Sequence, residues 1–90
     1  MFHLTDLQCF VLVYELRSFS RAADTLDTVQ SQVSVRIRRL EQFMDSQLFV
    51  RLHRGVVPTT KGELIYQHAK RVLAGVADLQ SAVKAHSVAQ

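Results

Sequence analysis

Between Ser31 and Arg39 the chain sets short hydrogen-bonding side chains ahead of cations: Ser31, Gln32 and Ser34 precede or interleave with Val35, Arg36, Arg38 and Arg39. On a helix with Val33 as origin and about 100° per residue, Ser31, Val35 and Arg38 fall opposite Val33, Ile37 and Leu40. Gln32 and Ser34 flank that outward face, and Arg36 and Arg39 lie where long side chains reach a groove wall. Hydroxyls and amides near the start of a helix, followed by arginines, suit base edges and phosphates of duplex nucleic acid. The competing reading is a solvated helix face that is rich in arginine and lacks glutamate partners. The charge distribution bears on the choice. Eleven basic and eight acidic residues give a net charge of +3. From Thr28 to Gly62 six basic side chains (Arg36, Arg38, Arg39, Arg51, Arg54, Lys61) meet only Glu41 and Asp45, whereas the remainder is slightly acidic. A local positive field of this kind favours phosphate backbones or acidic partners.

Other chemistry finds little support. Cys9 is the single cysteine, so an internal disulfide is excluded, and with Phe10 as neighbour and no basic residue beside it the thiol reads as a small, partly buried packing group. His3, His53, His68 and His86 are too scattered to pair at short metal-ligand spacing, although His53 beside Arg54 is placed to approach a phosphate or simply to be solvated. Phe43 and Phe49 read as packing residues rather than base-stacking platforms. There is no Ser/His/Asp or Cys/His set, no paired carboxylate and no phosphate-cradling glycine loop, so neither an enzyme nor a cofactor is expected. Runs approaching about 18 uncharged apolar residues are absent, and the first residues lack a basic stretch followed by a long apolar one. A cytoplasmic protein without a membrane partner is the expectation.

The elements that must position the basic centre follow from periodicity. Ninety residues, 48% hydrophobic and 21% charged, suit one modest core. Leu4, Leu7, Phe10, Val11 and Tyr14 predict a first helix ending near Leu16, with Thr5 and Gln8 in capping-box spacing. Ser18 is an N-cap for a short second helix, Phe19 to Leu26, whose apolar side is Ala22, Ala23 and Leu26, the small residues allowing close approach. A turn at Asp27, Thr28 and Val29 leads to a third helix, Gln30 to Met44, which Asp45 can end in the left-handed conformation. Two short β segments follow, 48–51 and 56–58, joined by a turn containing Gly55. Pro58 restricts its strand to an edge. A long helix then starts from Thr59 or Thr60, the latter in capping-box spacing with Glu63, and runs about 25 residues to His86. Three helices, the second short and close to the third, then a two-stranded ribbon, is the order of a winged helix-turn-helix. The expected fold is mainly α: a winged helix-turn-helix over residues 1–58, then a dimerisation helix over 59–90. Ile65, Ala69, Val72, Val76, Leu79 and Val83 form its stripe, which Leu73, Ala77 and Ala82 widen beyond what so small a body covers. Pairing with a second copy is one outcome, folding back over the first helix the other.

The segments Leu7-x-x-Phe10-x-x-Val13, Ser18-Phe19-Ser20-Arg21-Ala22-Ala23-x-x-Leu26, Thr28-Val29-Gln30-Ser31-x-Val33-Ser34-x-Arg36-Ile37-x-x-Leu40-Glu41, Leu48-Phe49-x-Arg51, Arg54-Gly55-Val56 and Thr59-x-x-Gly62-Glu63 resemble the amino-terminal DNA-binding part of LysR-type transcriptional regulators. That resemblance implies sequence-specific binding of double-stranded DNA for bacterial transcription regulation, on a pseudo-palindromic operator, by a homodimer joined through the linker helix. It makes Gln30, Ser31, Gln32 and Ser34 base-contact candidates and Arg36 and Arg38 groove or phosphate contacts. Ser18, Ser20 and Arg21 become phosphate contacts from the second helix, and Arg51, Arg54 and Thr59 wing or backbone contacts. Val35 stands where many members carry a polar or basic side chain, and a thymine methyl is what it can meet. Arg17 replaces a frequent glycine, Val29 a frequent serine cap, Asp45 a near-standard glycine, Pro58 a leucine and Lys61 an alanine. In the family a larger effector-binding domain normally follows, so the effector ligand is not expected on this segment. Two rivals remain: a winged helix of another group, such as one resembling MarR, and a helical protein-interaction module without DNA binding.

Overall fold

The computed structural model describes residues 1–89, with side chains to His86; Gln90, the last residue of the expected linker segment, lies outside the described residues. Helix α1 (Leu4–Leu16) is central. It buries Asp6, Leu7, Cys9, Phe10, Val11 and Val13, which span more than one stripe, because α2 (Phe19–Thr25), α3 (Gln30–Met44) and α4 (Thr60–Ala89) all pack on it. Its wide apolar surface explains why Cys9 and Val13 are fully buried while Leu4, on the expected stripe, is 43% exposed. The Thr5–Gln8 capping box is not formed; the N-cap is His3, whose N–H donates to Asp6 Oδ2 at 2.9 Å. Asp6 sits one turn in, where a carboxylate is favoured by the helix dipole.

Each of the first three helices is turned off by a left-handed residue other than glycine, at Arg17 (φ 56°), Asp27 (φ 54°) and Asp45 (φ 49°). Arg17 and Asp45 occupy C-cap positions and close the last turns of α1 and α3. In α2, Ser18 Oγ accepts the Arg21 N–H as expected of an N-cap, and the turn through Asp27 returns the Thr28 N–H to the Ala23 carbonyl. Val29 caps α3 without a side-chain bond. The α3 stripe Val33, Ile37 and Leu40 is buried against α1 and α2.

Strands β1 (Phe49–Arg51) and β2 (Val56–Pro58) form an antiparallel ribbon with Val50 opposite Val57 and Arg51 opposite Val56. Pro58 lies in a two-stranded sheet, where every strand is an edge. The ribbon is tied to the helices at two points, Leu48 N–H donating to Glu41 Oε2 at 2.8 Å and Val56 N–H to the Arg17 carbonyl, and Thr59 N–H closes its base on the Leu48 carbonyl. Gly55, at φ 83°, has no Cβ because one would lie 2.6 Å from the Arg17 oxygen. Gly62 is needed for closeness instead: any Cβ there would overlap the Leu48 carbonyl. The cap of α4 is Thr59 rather than the Thr60–Glu63 pair, with Thr59 Oγ1 accepting the Gly62 N–H at 3.0 Å and donating to the Gln47 carbonyl at 2.6 Å.

Helix α4 is 30 residues long, somewhat more than the spacing suggests. Its first turns lie on α1. Ala69, expected in the dimer stripe, is covered by the chain's own core at 2% exposure, and Ile65 and Leu73 pack against that core. Farther on the helix leaves the body, which gives the molecule extents of 55 × 26 × 21 Å. Val72, Leu79 and Val83 are 47%, 64% and 58% exposed, and Val76 is half-buried. Folding back on α1 and an uncovered apolar stripe thus coexist on successive parts of one helix.

Candidate nucleic-acid interface

Strand geometry brings the wing and α3 together. Side chains alternate along a strand, so the residue two beyond the buried Phe49 faces the helices as well, and that residue is Arg51. Its guanidinium lies 4.1 Å from the centre of the Phe19 ring, and Nη2 donates to Ser34 Oγ at 3.1 Å. A cation held over an aromatic face and tied to a hydroxyl is pre-set in direction while its remaining N–H groups stay free for an anion. Phe19 was not legible as part of this arrangement from its own segment. The signal that finds it is the β1 alternation, which turns Arg51 inward.

Around Arg51 the surface is concave. A cleft of about 200 Å³ is lined by Ser18, Phe19, Ser20, Gln30, Arg51, Leu52, Gly55 and Val56. A second, about 290 Å³, lies between α3 and β1 with Ser34, Arg38, Glu41 and Gln47 on its walls. Ser18 and Ser20 hydroxyls stand 3.1 Å apart at the start of α2, whose free N–H groups favour an anion. The short second helix, the first turn of the third and the wing therefore converge on one polar face.

On α3 itself, Gln30, Ser31, Gln32, Val35 and Arg38 are exposed and Ser34 is half-buried. Val35, 40% exposed, is the apolar point in that row. Arg21 is exposed on α2 and Arg54 at the ribbon turn. Three expected members have other surroundings. Arg36 is half-buried on the flank toward α1, near enough to Cys9 for its charge to act on the thiol. Thr59 spends its hydroxyl on the α4 cap. Arg39, which the helical wheel directs to a groove wall, instead reaches back to Asp6, with Nη1 at 3.3 and 3.4 Å from the two carboxylate oxygens. Asp6 is fully buried, so Arg39 satisfies an inward charge and joins α3 to α1. Phe43 is likewise not a core residue: it is 49% exposed and meets Phe2 edge-on at 4.8 Å.

Cys9 is sealed beneath this face with no exposed surface. Burial pushes its thiol up to about 11; the Arg36 charge opposes the rise and Asp6 adds to it. A thiol in that state is neutral and unreactive near neutral pH. Among the described residues no group of three or more His, Cys, Asp or Glu side chains is placed to hold a metal ion, and no helix is long and apolar enough to cross a membrane.

Comparison with known proteins places this arrangement. Residues 4–63 match the family model described as bacterial regulatory helix-turn-helix protein, lysR family. The chain is 37% identical over 81 residues to the nitrogen assimilation regulatory protein nac of Klebsiella aerogenes, covering 90% of this chain and 27% of that protein. It is 45% identical over 67 residues to the HTH-type transcriptional regulator DgdR of Burkholderia cepacia, covering 74% and 23%. The chain thus spans about a quarter of the length of these relatives, which are transcription regulators by name. Among solved structures, the BenM DNA-binding domain in complex with catB site 1 DNA superimposes with a TM-score of 0.90 at 36% identity, over 94% of this chain and 96% of that one. A full-length BenM mutant gives 0.86 at 38% identity, over 91% and 27%. The order of elements is therefore that of a known fold, and the chain belongs to the LysR family of bacterial regulatory helix-turn-helix proteins.

Proposed function

We propose that this chain is the sequence-specific DNA-binding module of a LysR-type bacterial transcription regulator, acting on double-stranded DNA in the cytoplasm and catalysing no reaction. Helix α3 enters the major groove with Ser31, Gln32 and Ser34 toward base edges, Gln30 at the rim and Val35 against a thymine methyl. Arg38, Arg51, Arg54, Arg21 and the Ser18–Ser20 hydroxyls hold phosphates on either side, with Arg36 on the flank, while the 49–58 ribbon lies along the backbone or minor groove. Residues 1–58 supply these contacts. Segment 59–90 joins two copies along Val72, Val76, Leu79 and Val83, so that two α3 helices meet the halves of a pseudo-palindrome. An effector ligand is not bound by this segment.

The observation that carries this reading is the exposed polar and cationic row of α3 standing beside Arg51, which is pre-set over Phe19 at 4.1 Å. A solvated helix has no use for an arginine held this way. The BenM domain, similar over 94% of this chain, was solved with DNA on it, which supports the same orientation here. Titration of random duplex at low and moderate salt tests the proposal: log affinity should fall by about 0.9 per phosphate neutralised for each unit of log salt. Negligible duplex affinity at both salt levels would instead identify a protein-interaction module.

A further inference from the structure

Two tyrosines far apart in sequence meet where the first turns of α4 lie on α1. Tyr14 of α1 and Tyr66 of α4 stack with ring centres 3.7 Å apart and planes 8° from parallel. Each phenol donates to a carboxylate on the opposite helix: Tyr14 to Glu63 Oε2 at 2.7 Å, and Tyr66 to Glu15 Oε2 at 2.6 Å. Lys70 Nζ closes the group, 3.4 Å from the same Glu15 oxygen, and the Arg17 guanidinium covers Tyr14 at 4.8 Å. The carboxylates hold the phenolic protons firmly, so Tyr66 is pushed up to about 12 and Tyr14 is also raised. The clamp is therefore fully assembled near neutral pH.

Exposed hydrogen bonds and ion pairs such as these add little to folding stability. Their geometric content is larger. A planar stack with two reciprocal bonds resists sliding, rotation and splaying of α4 on α1, and α1 is in turn fixed to α3 through Asp6 and Arg39. Beyond Leu73, which still packs on the core, about 16 residues of α4 extend about 24 Å at about 1.5 Å per residue, so a tilt of about 10° moves the far end by about 4 Å. In a pair joined along that far end, the same tilt is carried to both recognition helices.

We propose that Tyr14, Glu15, Glu63 and Tyr66 are positioning residues that fix the angle between α4 and α3, and thereby set the separation of the two recognition helices and the half-site spacing the dimer accepts. This rests on the proposed function in one respect, that the chain pairs through α4. Spin labels at an introduced Gln42→Cys, on the exposed part of α3, report the separation by pulsed dipolar spectroscopy across the dimer of the full chain, and buried Cys9 stays unlabelled. The parent should give one narrow distance peak. In Tyr14→Ala/Tyr66→Ala the peak should broaden by about 4 Å for a tilt of about 10°, while sedimentation and helical content stay as in the parent. Glu15→Gln/Glu63→Gln, which keeps both rings and touches only exposed carboxylates, should broaden it less. Tyr14→Phe/Tyr66→Phe retains the stack and should fall between parent and alanine variant. An equally narrow peak in dimeric alanine and glutamine variants would overturn the clamp assignment. A parent without any dipolar signal would overturn the pairing through α4, and the clamp's proposed effect with it.

Discussion

Adjacent arginines on α3 have opposite fates. Arg38 is exposed on the outward row, whereas Arg39 turns to Asp6, a carboxylate with no exposed surface and 33 positions away. Arg39→Ala leaves that buried charge with the His3 N–H alone, so it should cost about 1 to 3 kcal/mol of stability. The guanidinium side of the pair is 37% exposed, and solvent screening places the loss toward the lower end. Arg38→Ala should leave the melting temperature nearly unchanged and lower the salt slope of DNA binding by about 0.9 for each phosphate it no longer neutralises, a slope that Arg39→Ala retains. Denaturation and salt titration of both variants check this, and a reversed pattern would contradict the division of labour. Cys9 gives a pH-resolved counterpart. Because burial raises its folded value to about 11, from an ordinary 9.0, the neutral thiol contributes stability that is complete below about pH 9 and lost as pH climbs toward 11. Iodoacetamide at about pH 8 should therefore leave the native chain unmodified and alkylate it in denaturant. Rapid native alkylation would mean that the core around Cys9 opens.

Helix α3 begins without a side-chain cap: Val29 has the extended backbone of an N-cap (φ −103°, ψ 155°), yet offers no acceptor and is 61% exposed. Val29→Ser should stabilise the domain by about 1 kcal/mol, read as a melting rise of roughly 4–8 °C for a chain of this size. No rise would show that the first turn of α3 is already satisfied in solution. The boundaries of α3 were legible in sequence because Val33, Ile37 and Leu40 recur at helical spacing and Asp45 tolerates φ 49°. Ser18 as cap of α2 was legible for the same local reason. What periodicity does not carry is contact at long sequence separation. Asp6 with Arg39, Tyr14 with Tyr66 and Arg17 with Val56 each depend on how three helices close around α1, and nothing in either partner's own segment marks the other. Of the two caps offered for α4, Thr59 is the one formed, whereas the Thr5–Gln8 and Thr60–Glu63 readings fail because each helix starts ahead of them: His3, whose N–H Asp6 serves, and Thr59 hold the cap positions.

At the scale of the whole molecule a small body carries a helix that outruns it, and the outer part of that helix exposes an apolar stripe. Leu79 is 64% exposed, so Leu79→Glu should leave the monomer fold intact and abolish pairing, giving a monomer by sedimentation at micromolar concentration where the parent is a dimer. A parent that already sediments as a monomer would remove α4 as the interface. The polar row of α3 was legible from the helical wheel alone, while its partner Arg51 depended on ribbon register and the seating of Phe19. Everything else in the proposed function depends on this row distinguishing one base sequence from another. The most direct test uses duplexes recovered from a random library by the parent chain, with affinities measured on a recovered duplex and on its scrambled counterpart for the parent, Ser31→Ala and Gln32→Ala. Each variant should bind the recovered duplex more weakly by about 1 to 3 kcal/mol, the worth of one good base contact, with scrambled binding unchanged. Equal affinity of the parent for both duplexes, or equal weakening of the variants on both, would show that the row reads no sequence.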